Sequence, residues 1–238
     1  MSLISQNLQA VHEAIALSAT RYGRNPTEIA LLAVSKTFGP EHVLEAWHAG
    51  QRAFGENYLQ EGVDKIAAVK SLLANQAFSE QPVWHFIGPI QSNKTRPIAE
   101  HFSWVHSVDR EKIASRLSEQ RPPELGPLHI CLQVNISGEA SKSGVHPDDV
   151  LALAKQVMQM PNLRLRGLMS VPEASEDEAV QRLAFRQLAD LQQQLQTQGI
   201  ALDTLSMGMS ADMPAAIAEG STMLRIGSAI FGKRLYAV

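Results

Sequence analysis

Lys36 closes the apolar run Leu31-Leu32-Ala33-Val34 after a single serine, and its chemistry stands out first. Burial disfavours the charged form of a lysine and lowers its pKa, and a neutral primary amine is a nucleophile toward aldehydes. The same residue also reads as a stem that carries its ammonium out to solvent at the end of a strand. The strand alone leaves both readings open. Near the other end of the chain, Arg225-Ile226-Gly227-Ser228 offers a cation, a glycine that permits close backbone approach, and a hydroxyl. Those are the parts of an anion site. Ser210 precedes a segment that reads as a helix from Ala211, so it is expected to cap that helix, whose leading amides favour an anion. Taken singly, Ser210 is only a cap and Gly227 only a turn.

Other candidates fail on their own chemistry. Gly208-Met209-Ser210-Ala211-Asp212 is like a nucleophile elbow but lacks the final glycine. His101 and His106 have no metal-ligand spacing, and no metal is expected. His85, between Trp84 and Phe86, reads as a hydrogen-bonded core histidine. Arg164 and Arg166 lie near the start of a strand, the wrong end for barrel chemistry. The single cysteine, Cys131, excludes an intrachain disulfide and a multi-cysteine metal site.

The elements that must position these residues alternate along the chain. Leu3 to Thr20 reads as a helix. Strands are then expected at Leu31–Lys36, Arg52–Asn57, Trp84–Pro89, Trp104–Asp109, His129–Ile136, Leu163–Val171, Thr204–Ser210 and Met223–Gly232. Helical patterns separate them, the clearest at Glu176–Gln198. The strands are nearly continuous apolar runs, as when both faces are buried. Eight βα units predict an α/β chain folded as a single (β/α)8 barrel with an extra N-terminal helix, one domain over residues 1–238. An open doubly wound sheet is the other arrangement, and no GxGxxG follows the first strand to favour a dinucleotide site. Barrel chemistry sits at the C-terminal strand ends, where Lys36, Asn57, Ser210, Arg225, Gly227 and Ser228 are expected. Barrel phosphate sites often use the loops after strands seven and eight.

Composition bounds the partners. The chain has 238 residues, 45% hydrophobic and 19% charged, too apolar for disorder. No apolar run approaches the ~18 residues of a membrane span. The N-terminal residues lack the basic start and apolar core of a secretory signal, so a cytoplasmic protein is expected. A net charge of −3 gives no global pull toward nucleic acid.

Ordered motifs then point to a family. They are Ala33-Val34-Ser35-Lys36, Phe54-Gly55-Glu56-Asn57-Tyr58, Trp84-His85-Phe86-Ile87-Gly88-Pro89 and Gln91-Ser92-Asn93-Lys94. Ser141-Lys142-Ser143-Gly144, Arg166-Gly167-Leu168-Met169, Leu205-Ser206-Met207-Gly208-Met209-Ser210 and Arg225-Ile226-Gly227 follow. With them the chain resembles the pyridoxal-phosphate homeostasis proteins, also called the proline synthase co-transcribed family, along nearly its whole length. The resemblance implies a barrel like the N-terminal domain of alanine racemase. It implies pyridoxal 5′-phosphate held as an aldimine on Lys36, with phosphate contacts from Ser210, Gly227 and Ser228. Arg225 would face the pyridine nitrogen, and Asn57 would lie beside the ring or the aldimine. The family pattern has threonine where this chain has Ser228, which keeps the hydroxyl.

Two functions remain on this reading. One is a monomeric, non-catalytic carrier with no catalytic residues, which buffers the cofactor for vitamin B6 homeostasis and delivers it to pyridoxal-phosphate-dependent apoenzymes. The other is a compact racemase or lyase. The chain ends soon after Gly232, where alanine racemase continues into a further domain that supplies a second base, so the carrier is expected. An arginine facing the pyridine nitrogen keeps it unprotonated and weakens the ring as an electron sink. Apart from the resemblance, the residues alone also leave open a barrel for another phosphorylated metabolite.

Overall fold

A computed structural model describes residues 2–74, 80–137 and 143–232. Parallel strands β1 (Ala30–Val34), β2 (Ala53–Glu56), β3 (Val83–Phe86), β4 (Trp104–Val108), β5 (Leu128–Gln133), β6 (Leu163–Met169), β7 (Thr204–Ser206) and β8 (Met223–Ile226) pair in chain order. They close into a barrel when β8 pairs with β1, with Leu32 opposite Arg225. The expected (β/α)8 barrel is therefore the observed one, and the open sheet is not. Most strand positions are buried, as in β1, where all but Ala30 are. Sheet and surrounding helices bury these faces together.

Helix α1 (Leu3–Arg21) is the extra N-terminal element. Ser2 caps it, its Oγ accepting from the Ser5 amide at 3.3 Å. Ile4, Leu8, Val11 and Ile15 form its buried stripe. The outer helices follow as α2 (Pro40–His48), α3 (Leu59–Leu73), α4 (Thr95–His101), α5 (Glu111–Gln120), α6 (Val150–Met158), α7 (Glu178–Thr197) and α8 (Met213–Ala218). A last short helix is α9 (Ser228–Phe231). No helix among the described residues is long and apolar enough to cross a membrane.

Several strands stop short of their expected ends, and each has a local cause. β1 ends at Val34, because Lys36 and Thr37 form a turn with Thr37 at φ +71°. β7 ends at Ser206, shortly before Gly208 takes φ +96°. β8 ends at Ile226, because Gly227 leaves the extended region (φ −119°, ψ −74°) and the chain winds into α9 where strand was expected.

Candidate functional site

Lys36 sits in a turn on the C-terminal rim of the barrel rather than at the end of a strand. The Phe38 amide donates to the Ser35 carbonyl at 3.1 Å, closing the turn Ser35–Phe38. Thr37 is the one non-glycine among the described residues with positive φ. Positive φ at the third residue and not the second defines a type II turn, with Lys36 at the second position. The Ser35 amide donates to Gly55 O of β2 at 3.1 Å, which anchors the turn beside the neighbouring strand.

Asn57 follows β2 directly. Its Oδ1 is buried and accepts no hydrogen bond from the described residues. Gly88 packs against its backbone: a Cβ there would lie 1.9 Å from Asn57 O.

On the other flank of Lys36 stand the residues after β8. A Cβ on Gly227 would lie 3.1 Å from Val34 O, so glycine lets the two strand ends approach. Ser228 opens α9, whose leading amides have no acceptor within the helix. The Phe38 and Phe231 rings pack at 5.3 Å between centroids, tying the Lys36 turn to α9.

Ser210 does not cap a helix, contrary to expectation. It is exposed in a turn, and α8 begins at Met213, with Asp212 at the N-cap position and Pro214 in its first turn. Asp212 Oδ1 instead accepts from the Met209 amide at 2.5 Å, which folds the turn containing Ser210. Burial raises the Asp212 pKa, against the lowering by that amide and by Arg225.

Arg225 reaches into the barrel. Its Nη1 donates to Ser206 Oγ at 2.8 Å and to Ser206 O, and its Nη2 donates to Ser170 O at 2.8 Å. Burial lowers its pKa to about 10, which leaves the guanidinium charged at neutral pH. Three of its five N–H donors are committed here. The Nε–H and the second Nη2–H are the donors that a ligand acceptor can take.

Ser206 extends this contact across the barrel. His106 Nδ1 lies 2.8 Å from Ser206 Oγ, and His106 Nε2 lies 2.9 Å from His85 Nδ1. Barrel interiors are usually filled by branched apolar side chains; here a polar chain runs through one. His85 is the hydrogen-bonded core histidine that its neighbours suggest. Trp104 stacks between His85 and His129, with ring centroids at 5.2 and 4.8 Å. The Arg166 guanidinium lies 4.6 Å from the Trp104 ring and pairs with Asp203, a structural role away from the Lys36 rim.

The fold thus brings Lys36, Asn57, Gly227 and Ser228 to one rim, with Arg225 below and Ser210 on the adjacent loop. Ser143 and Gly144 of the Ser141–Gly144 motif are described; Ser141 and Lys142 lie outside the described residues. Sequence reasoning gives Glu56, His106 and Ser206 no role of this kind and passes over Glu61 and Lys65. Glu56 ends β2 fully buried and pairs with Lys65 at 2.7 Å, while Glu61 pairs with Lys65 at 2.9 Å. The i,i+4 spacing of Glu61 and Lys65 was the available signal. Burial raises the Glu56 pKa, with Lys65 acting in the opposite direction. The described residues hold no group of three or more His, Cys, Asp or Glu arranged for a metal.

Comparisons with known proteins agree with this architecture. The family model for the alanine racemase N-terminal domain matches residues 6–234. A pyridoxal phosphate homeostasis protein of Pseudomonas aeruginosa is 58% identical over 236 residues, covering 99% of this chain and 98% of that protein. The Vibrio cholerae protein of the same name is 55% identical over 237 residues, covering 100% and 99%. Among solved structures, PipY of Synechococcus elongatus with PLP bound superposes with a TM-score of 0.80 at 34% identity, covering 96% of this chain and 100% of PipY. With the family model spanning residues 6–234 and full-length identity above half, this chain belongs to the pyridoxal phosphate homeostasis protein family, built on the alanine racemase N-terminal domain.

Proposed function

We propose that this chain, residues 1–238 as one binding unit, holds pyridoxal 5′-phosphate on Lys36 as exchangeable cargo. It buffers the cofactor in the cell and delivers it to apoenzymes, without robust amino-acid turnover. The observation that carries this reading is full-length identity of 58% to a protein named for pyridoxal phosphate homeostasis. The 34% identical PipY structure with PLP bound supports the choice of ligand.

The residues fit that group. When bound, the cofactor supplies an aldehyde that condenses reversibly with an amine and a ring that withdraws electrons. Lys36 offers the amine at a rim adjoining Gly227, and the Gly227–Ser228 and Ser210 segments offer amides and hydroxyls to a phosphate. Asn57 Oδ1, buried without a hydrogen-bond donor among the described residues, is the side-chain acceptor beside the ring. Arg225 has N–H groups remaining to meet the pyridine nitrogen. Arginine only donates, so it holds that nitrogen unprotonated. That choice makes the ring a weaker electron sink, a condition that suits carriage and that racemases tolerate.

Two assays test the proposal together. Cofactor-loaded protein should restore activity to a pyridoxal-phosphate-dependent apoenzyme. Alanine, serine and other amino acids should keep their chirality and amount after long incubation, as read by chiral chromatography. Robust turnover that disappears in Lys36→Ala would make the chain a racemase or lyase instead.

A further inference from the structure

We propose that Glu61 and Lys65 of α3 are positioning residues that set the direction in which Lys36 leaves the backbone. The inference rests on Lys36 being the cofactor-bearing amine, and adds how that amine is aimed. Lys65 Nζ donates to Ser35 O at 2.7 Å, and the Thr37 amide donates to Glu61 Oε1 at 2.6 Å. Ser35 O belongs to the peptide group before the Lys36 Cα, and the Thr37 N–H belongs to the one after it. Glu61 and Lys65 are themselves paired at 2.9 Å, one helical turn apart. The two peptide planes that flank Lys36 are therefore each bonded to one end of a single ion pair.

A second layer holds the pair in place. Glu56 Oε1 accepts from Lys65 Nζ at 2.7 Å and from Ser35 Oγ at 2.6 Å. Both Glu56 and Lys65 are buried, so neither charge is stable without the other. Because Glu56 immediately precedes Asn57, the same cluster fixes the two rim segments relative to each other.

Thr37 is the reason such a clamp is required. Its φ of +71° suits glycine or asparagine at this turn position, and a β-branched side chain is strained there. A strained residue persists only where its surroundings over-determine it. Without the Glu61 carboxylate, Thr37 relaxes toward negative φ, the turn changes type and the Lys36 Cα–Cβ bond swings. In cofactor capture the neutral Nζ adds to the aldehyde carbon, a C=N bond forms and one water leaves. A misdirected amine slows that condensation without touching the phosphate loops.

The test separates aiming from folding. Glu61→Ala should slow and weaken covalent capture, read as the cofactor absorbance and the borohydride-fixed mass, by about tenfold or more. Its affinity for pyridoxine 5′-phosphate, which has the phosphate and ring but no aldehyde, should match that of the unaltered protein. Thr37→Gly accepts positive φ without help, so the Glu61→Ala defect should shrink in that background. Glu61→Gln keeps an acceptor for the Thr37 amide and should recover most of the capture, which also covers the case of a poorly folding alanine variant. Equal capture by Glu61→Ala and unaltered protein, with Lys36→Ala inactive in capture, overturns the clamp and leaves the Lys36 assignment standing. Parallel loss of both ligands, additive with Thr37→Gly, also overturns it. Normal capture by Lys36→Ala removes the underlying assignment and the clamp with it.

Discussion

His85 Nδ1 and His106 Nε2 face each other at 2.9 Å inside the barrel, and both rings are buried. One nitrogen must donate and the other accept, so the two rings cannot both be protonated. Burial, followed by the charge of His129, lowers the His85 pKa to about 3. Burial, His85 and Arg225 hold His106 well below its ordinary value. In the unfolded chain both titrate near 6.5. The folded form thus binds fewer protons, and stability present above about pH 6.5 is lost as pH falls toward about 3.

The neutral His85 should remove about 2 kcal/mol of stability between about pH 7 and pH 5, and His106 acts in the same direction. His85→Gln and His106→Gln should be less stable at neutral pH yet lose less on acidification. Denaturant unfolding at several pH values measures both effects. Parallel stability curves for the variants and the unaltered protein would show that these rings do not set the acid limb.

Lys36→Ala should abolish the borohydride-fixed adduct while retaining the barrel's circular dichroism. Intact mass and peptide mapping identify the modified lysine. An unchanged adduct on Lys94, at the end of the 3-10 turn Ser92–Lys94 after β3, would displace Lys36 from its proposed role.

The phosphate should anchor the ligand more than the aldehyde does. Charge-assisted hydrogen bonds contribute about 1.5–3 kcal/mol each, so pyridoxal should bind roughly a hundredfold or more weakly than its phosphate. Ser228→Thr should be neutral because the hydroxyl remains, whereas Ser228→Ala should weaken binding by about tenfold. Calorimetric titration with both ligands decides this. Equal affinity for the two would place the anion elsewhere.

Gly88→Ala should damage stability and binding together. Its Cβ would stand 1.9 Å from the Asn57 carbonyl oxygen, so backbone must move. Overpacking of this kind costs about 1–3 kcal/mol. Thermal unfolding and a cofactor titration of one preparation should both shift. A change in melting temperature with unaltered affinity would detach the Asn57 segment from the binding site.

The barrel was legible because its strands are short apolar runs separated by amphipathic segments. The placing of Gly227 and Ser228 just after β8 followed from the same count. Strand ends were less legible. The Lys36 turn needs positive φ at a threonine, against that residue's preference, and its support comes from Glu61 on another element. Ser210 reads as a cap in sequence because serine suits that position. Pro214, in the first turn of α8, was the better marker of where the helix starts. His106 meets Ser206 only because the barrel brings β4 and β7 across from each other. No local spacing encodes such a meeting.

Pairing of β1 with β8 joins the first and last strands, and the proposed rim site straddles that seam. Leu32 faces Arg225, and Val34 abuts Gly227. A nascent chain therefore carries Lys36 out of the ribosome long before the β8 side of the proposed site exists. Early capture of a reactive aldehyde by that lysine would find no phosphate loop to retain it. A ligand joined to Lys36 and seated on Gly227 spans the seam like a staple. Loading should therefore protect β1 and β8 amides from exchange more than those of β4 and β5, making cofactor occupancy a lock on the ring's last closure.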